Sequence, residues 1–165
     1  MEIQSLASAL MGDESLQAEQ IETLLMSSVE ELSGAADSIG ESADYVLEAM
    51  LEQAAVYLAD SMAAAQRVQS YWLTIAAVPG GTHYEVVVRS AEFLAAYHQA
   101  RGVAPEELSR WAASEDWRQR LVCAWTVRDD NREAAVQIRE QLATDPFQDD
   151  NYLYLVREGA GHYPE

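Results

Sequence analysis

The stretch SADYVLEAMLEQAAVYLADSMAAAQRVQSYWLTIAA, residues 42–77, runs for 36 positions without a glycine or a proline. Along it Leu47, Leu51, Ala54, Leu58, Ser61, Ala65, Val68, Trp72 and Ile75 recur at alternating intervals of four and three. This is a heptad-like stripe, and it predicts a helix packed lengthwise on a neighbour at a shallow crossing angle. Uninterrupted, such a helix is ~50 Å long at a rise of ~1.5 Å per residue. Ser61 interrupts the stripe, which makes Asp60-Ser61 the place for a break. The small residues Ala54, Ser61 and Ala65 suit close packing against a neighbour in the same chain better than a two-stranded zipper.

Helical periodicity continues on both sides. Residues 3–11 read as a short helix. Asp13 reads as the N-cap of a second, to about residue 32, with Ile21, Leu24, Leu25, Ser28 and Leu32 on one face and Gly34 as its stop. Residues 34–41 then form a loop. Downstream, Pro79-Gly80-Gly81 ends the long segment, and Thr82-His83-Tyr84-Glu85 has the form of a capping box. The branched run Val86-Val87-Val88 leads straight into apolar helical sequence, so it reads as the first turns of a helix that stops at Gly102. Pro105 fits a first-turn position. Ser114, then Asp130 or Asn131, then Asp149 or Asp150 read as caps of three more helices. The class is all-α: a helical bundle or short α-solenoid of about seven or eight helices. An acidic N-terminal part, 1–78, and a second part, 82–165, are expected to form one continuous folded unit.

The C-terminal third carries one recognisable pattern. Asp116-Trp117-Arg118-Gln119-Arg120 leads into Cys123-Ala124, three and four residues after Arg120. A second apolar-periodic run, residues 134–143, ends in Asp145-Pro146. Val156-Arg157 then leads into Ala160-Gly161, again three and four residues on, with Arg120 and Arg157 separated by 37 residues. This stretch, residues 114–161, resembles HEAT-type helical repeats, whose period is ~40 residues. The resemblance implies helix pairs in which an Arg followed by small residues ties one repeat to the next. Arg120 and Arg157 would therefore hold structural posts, hydrogen-bonded to carbonyls and an Asp of adjoining loops.

Composition narrows the class of partner. Of 165 residues, 28 are Asp or Glu and 10 are basic, for a formal charge of −18; all ten basic residues are Arg, and the chain is lysine-free. The absence of Lys excludes Schiff-base chemistry and a P-loop lysine. The acidity argues against nucleic acid or an anionic membrane surface as a direct ligand, since both need cations to displace counterions. No apolar run reaches the ~18 residues of a membrane span, and Met1-Glu2-Ile3-Gln4 lacks the positive start of a secretory signal. The single cysteine, Cys123, in apolar helical sequence, reads as a small buried hydrophobe in a chain expected to be cytoplasmic.

No catalytic or metal signature follows. His83, His98 and His162 share no ligand spacing, and His98, four residues after Leu94, reads as a helix-packing histidine. Asp129-Asp130-Asn131-Arg132-Glu133 has a superficial likeness to a calcium loop but carries Ala134 where the glycine belongs, so a helix cap accounts for it better. No cofactor is expected.

Charge distribution says more. Residues 1–66 hold 13 acidic residues and no basic one; residues 67–165 hold 15 acidic and 10 basic. Glu41, Asp44, Glu48 and Glu52 fall on one side of the long helix with no cation four residues on to offset them. Glu19, Glu22, Glu30 and Glu31 add to the field. The expected function is a non-catalytic acidic protein-binding module, an immunity or inhibitor protein that neutralises a basic effector or nucleic-acid-handling enzyme. Glu41, Asp44, Glu48 and Glu52 would face the partner, with Trp111 or Trp117 as aromatic anchor. Two alternatives stand beside it. One is an adaptor or structural subunit of a larger assembly, with a homodimer through the striped helix in place of a monomer. The other is a helical-repeat enzyme of unknown reaction.

Overall fold

The computed structural model of the chain describes residues 2–12, 14–75 and 84–162. Among them the structure is all-α, with ten α-helices and no named strand. The helices are α1 (Glu2–Met11), α2 (Ala18–Leu25), α3 (Val29–Ser38), α4 (Ala43–Tyr57), α5 (Met62–Arg67), α6 (Tyr84–Arg101), α7 (Pro105–Ala112), α8 (Trp117–Val127), α9 (Glu133–Leu142) and α10 (Leu155–Gly159). No helix is long and apolar enough to cross a membrane among the described residues. The chain divides into two compact units, residues 1–93 and 94–165. The division falls inside α6, so the first turns of that helix go with the N-terminal elements. The expected boundary at Pro79-Gly80-Gly81, and the Thr82 and His83 half of the expected capping box, lie outside the described residues.

The N-terminal unit is organised by α4, which packs on α1, α2 and α3. Its buried face is Val46, Leu47, Met50, Leu51 and Ala54. Against it lie Ile21, Leu24 and Leu25 of α2 and Leu32 of α3, all fully buried. Ala7, Ala35, Ala36 and Val46 form a tight seam, small enough for helices to approach closely, flanked by Ile3, Leu10 and Ile39. The long striped segment is not one helix. It breaks after α4 at Leu58, restarts at Ser61, whose side chain caps α5 by accepting from the Ala64 N–H at 3.2 Å, and then widens into a π-helical segment, Val68–Trp72. A five-residue hydrogen bond, Leu73 N–H to the Val68 carbonyl at 2.9 Å, marks that widening. The stripe survives the interruptions because periodicity reports which residues are buried, not whether the backbone between them is continuous.

The expected single helix to about residue 32 is also two. Ser28 caps α3 by accepting from the Glu31 N–H, and Glu31 reaches back to the Ser28 backbone. This capping box restarts the helix after Met26-Ser27. Gly34 is therefore not a stop: α3 runs through it to Ser38, and the turn comes at Gly40, with φ +73°. Asp13, the expected cap of α2, lies outside the described residues; Gln17 and Gln20 form the box there instead. The break leaves the last carbonyls of α2 without helical partners. Arg67 donates to Leu25, Met26 and Ser27, and Trp72 Nε1 donates to Leu25 at 2.9 Å.

In the C-terminal unit α8 is central, packing on α7, α9 and α10. Leu121, Val122, Cys123, Ala124 and Val127 are buried there. Burial pushes the Cys123 thiol up to about 12, so it stays protonated and packs as a hydrophobe. Pro105 opens α7, and Gly102, at φ +78°, ends α6. Three expected caps move. Asp116, not Ser114, caps α8, accepting from the Arg118 N–H at 3.0 Å. Asp130 accepts from the Arg132 N–H at 2.9 Å in a turn before α9 rather than capping it. Asp149 folds its carboxylate onto the N–H groups of Asn151 and Tyr152, and α10 begins only at Leu155.

Candidate functional site

The four acidic residues expected to face a partner differ in their surroundings. Glu41 precedes α4 and is exposed, and Asp44 is half-buried in its first turn. Glu48 and Glu52 are held by Arg89, whose Nη2 lies 3.0 Å from Glu48 and 2.7 Å from Glu52, while Nη1 lies 3.0 Å from Glu92. One guanidinium of α6 thus gathers three carboxylates. Glu85 stands beside them with its carboxyl pushed above the usual range, by burial first and by the charge of Glu48 second. The cation absent from the local sequence of α4 is supplied by the fold.

Acid with no cation beside it among the described residues lies instead over α1, α2 and α3. Two adjoining grooves open there, of about 550 Å³ and about 500 Å³, sharing Ile3 and Glu31. The first is bordered by Glu19, Glu22 and Glu31, with Met26 and Ile3 as its apolar surface. The second is bordered by Glu2, Glu30 and Glu31 over Ile3, Gly34 and Ala35. Among the described residues no arginine or histidine lines either one. Arg67 is committed to the α2 carbonyls and lies 3.7 Å over the Tyr71 ring. Glu19, Glu22, Glu30 and Glu31, which add to the field in the sequence, are brought by the fold to the borders of these two grooves.

The two tryptophans are half-buried against other rings of the C-terminal unit. Trp111 lies 4.7 Å from His98, and Trp117 stacks on Phe147 at 4.2 Å and 18°. His98 is held between Trp111 and Tyr97, and burial lowers its pKa. A cleft of about 330 Å³ beside it is bordered by Thr126 and Arg132, but its polar groups bond one another: Gln99 donates to the Thr126 carbonyl, and Arg132 to Asp130 and Val103.

Arg120 and Arg157 meet at one residue. Arg120 makes a two-pronged pair with Asp145, Nε to Oδ2 at 2.7 Å and Nη2 to Oδ1 at 3.2 Å, while its Nη1 donates to the Ser114 carbonyl at 2.8 Å. Arg157 Nε donates to the Asp145 carbonyl at 2.7 Å. Arg139 and Arg128 likewise donate to helix-end carbonyls, at Val127 and at Glu158. Guanidinium suits this work because its rigid fork reaches two acceptors at once, which an ammonium does not.

Among the described residues, no group of three or more His, Cys, Asp or Glu side chains is placed to hold a metal ion. No protein-family model matches the chain, and no match was found among curated proteins or solved structures.

Proposed function

We propose that the chain is a non-catalytic, acidic protein-binding module of the immunity or inhibitor type, which neutralises a basic effector or nucleic-acid-handling enzyme by covering its cationic surface. The observation that carries this reading is the unmatched acid of the N-terminal unit. Its only arginines, Arg67 and Arg89, are both turned inward, onto backbone carbonyls and onto Glu48, Glu52 and Glu92. The charged groups that line the grooves over α1–α3 are therefore, among the described residues, carboxylates, and such a field speeds encounter with a cationic protein and selects against acidic ones. In this reading the molecule acts as a cytoplasmic monomer, and residues 114–161 form a HEAT-like scaffold whose Arg120–Asp145–Arg157 ties support the resemblance.

Isolation of the native partner from the host, followed by titration of affinity against salt, tests the proposal. The expected result is a basic protein bound stoichiometrically, with affinity falling steeply between about 50 and about 500 mM salt as the Debye length shrinks. An acidic partner, or affinity indifferent to salt, overturns it.

A second reading, an adaptor within a larger assembly, is favoured by one observation. Tyr45, Val56, Tyr57 and Met62, on α4 and the start of α5, are large apolar side chains left exposed. Light scattering decides whether copies of the chain associate through them; a strict monomer removes the homodimeric form of this reading.

A further inference from the structure

Gly34 sits in the interior of α3, where glycine weakens a helix. Nothing among the described residues explains it. Its φ is not positive, and a Cβ built there would meet no atom of the described residues within 4 Å. Gly159 makes the contrast: a Cβ on it would lie 3.1 Å from the Trp125 ring, so close packing by a neighbour in its own unit accounts for that glycine. The open space beside Gly34 is the groove between α1 and α3, walled by Ile3 and Ala35 and rimmed by Glu2, Glu30 and Glu31. Glycine is the residue that lets another backbone come close to a helix.

We infer that this groove receives a helix of the partner that bears Arg or Lys on its flanks and an apolar side chain at its centre, with Gly34 the point of closest approach. The inference rests on the proposed function for the sign of the partner's charge. The apolar walls supply the contact that excludes water, and the three carboxylates supply ion pairs at the rim, the arrangement by which helix-in-groove recognition gains affinity and register. The same face of a second copy of this chain is a poor occupant, because residues 1–66 hold 13 acidic residues and no basic one and would repel their like.

The test uses the full chain and a synthetic amphipathic helix with leucines on one face and arginines beside them, alongside a scrambled peptide of the same composition. Gly34→Leu projects a side chain into the groove at a position where the fold leaves room, and a helix-forming residue there raises the melting temperature. The expected result is a Gly34→Leu protein that melts at or above the wild-type temperature and binds the amphipathic helix at least tenfold more weakly. Glu2→Gln with Glu30→Gln, which leaves the α3 cap intact, is expected to weaken binding several-fold and flatten its salt dependence. Unchanged affinity in Gly34→Leu, with salt-dependent binding of the helix by the wild type, overturns the groove and leaves the acidic-module reading standing. Equal binding of the scrambled peptide also overturns the groove. Failure of the wild type to bind either arginine peptide overturns the groove and the proposed function together.

Discussion

The two units hold arginine in different proportion to acid, two against 15 in residues 1–93 and eight against 13 in residues 94–165, and that difference organises what each can do. In residues 94–165 arginines are spread through the fold and tie loops to helix ends: Arg120 and Arg157 at Asp145, Arg139 at Val127, Arg128 at Glu158. In residues 1–93 two arginines stand among many carboxylates, and both point into their own unit. Charge in the C-terminal unit is a structural material, matched locally and partly buried. In the N-terminal unit most of it is left at the surface, where it can act on something else. A lysine-free chain is intelligible on these terms, since ties that bridge a carbonyl and a carboxylate, or several carboxylates, need a fork rather than a point charge.

The largest expected effect comes from removing the hub of the C-terminal unit. The Asp145 side chain is only 3% exposed and its Arg120 partner 14%. Asp145 also accepts from the Phe147 N–H at 3.0 Å, fixing the turn at Pro146. Asp145→Ala strands a nearly buried guanidinium and is expected to cost about 3–5 kcal/mol, the range for breaking one partner of a buried pair. Urea unfolding measures it. Glu107→Gln is the control: the Arg110–Glu107 pair is long, at 3.6 Å, and exposed. Its loss is expected to stay within about 0.5 kcal/mol. Equal losses in the two variants would erase the distinction between buried ties and surface charge.

A smaller effect is expected at the Arg89 cluster of the N-terminal unit. Arg89→Gln leaves Glu48, Glu52 and Glu92 facing one another, with Glu85 beside them. The cluster is partly solvated, so the loss is expected at about 1–2 kcal/mol in low salt and should shrink in about 1 M salt as the repulsion is screened. A loss that salt does not reduce would mean that Arg89 acts by packing, and that the N-terminal unit is not strained by its own charge.

Much of the fold can be read from the chain because helix breakers and caps act locally. Gly102 and Pro105 end and begin helices where their backbone constraints require, and Ser61 both interrupts the stripe and caps α5. The errors share a physical cause. Leu24, Leu25 and Leu32 keep one face through the break at Met26-Ser27, because α2 and α3 both pack on α4, and periodicity cannot see a gap that preserves the buried face. The Ser28-x-x-Glu31 box was the signal for that break. Gly34 misled in the other direction, since a glycine in a helix interior and one at its end look alike in sequence. Of the candidate site, the acidity was legible but its neutralisation was not: Arg89 meets Glu48 across 41 residues, a pairing made by tertiary packing alone. Asp145 was legible as the close of a helix, and its role as the meeting point of two arginines needed the fold.

The smallest expected effect is the most discriminating, because the two units should respond to acid with opposite sign. The Glu85 carboxyl is raised above its ordinary value of 4.5, chiefly by burial and then by Glu48. The folded state therefore takes up this proton before the unfolded state does. Stability linked to Glu85 is fully present below 4.5 and is lost as pH rises through the higher folded value. Asp130 and Asp116 are lowered from 3.8. For Asp130 the Arg132 guanidinium is the main cause; for Asp116 burial opposes the shift, but the Arg118 N–H and guanidinium outweigh it. Their contribution is present above 3.8 and is lost as pH falls through the lower folded values. Residue-resolved hydrogen exchange should then show protection around α4 and the start of α6 rising slightly as pH drops from 7 towards 5, while α8 and α9 hold steady. Below about 4, protection in α8 and α9 should fall as their aspartates take up protons. Parallel profiles in the two units would show that acid is matched equally in both, and would remove the asymmetry on which a docking role for the N-terminal unit depends.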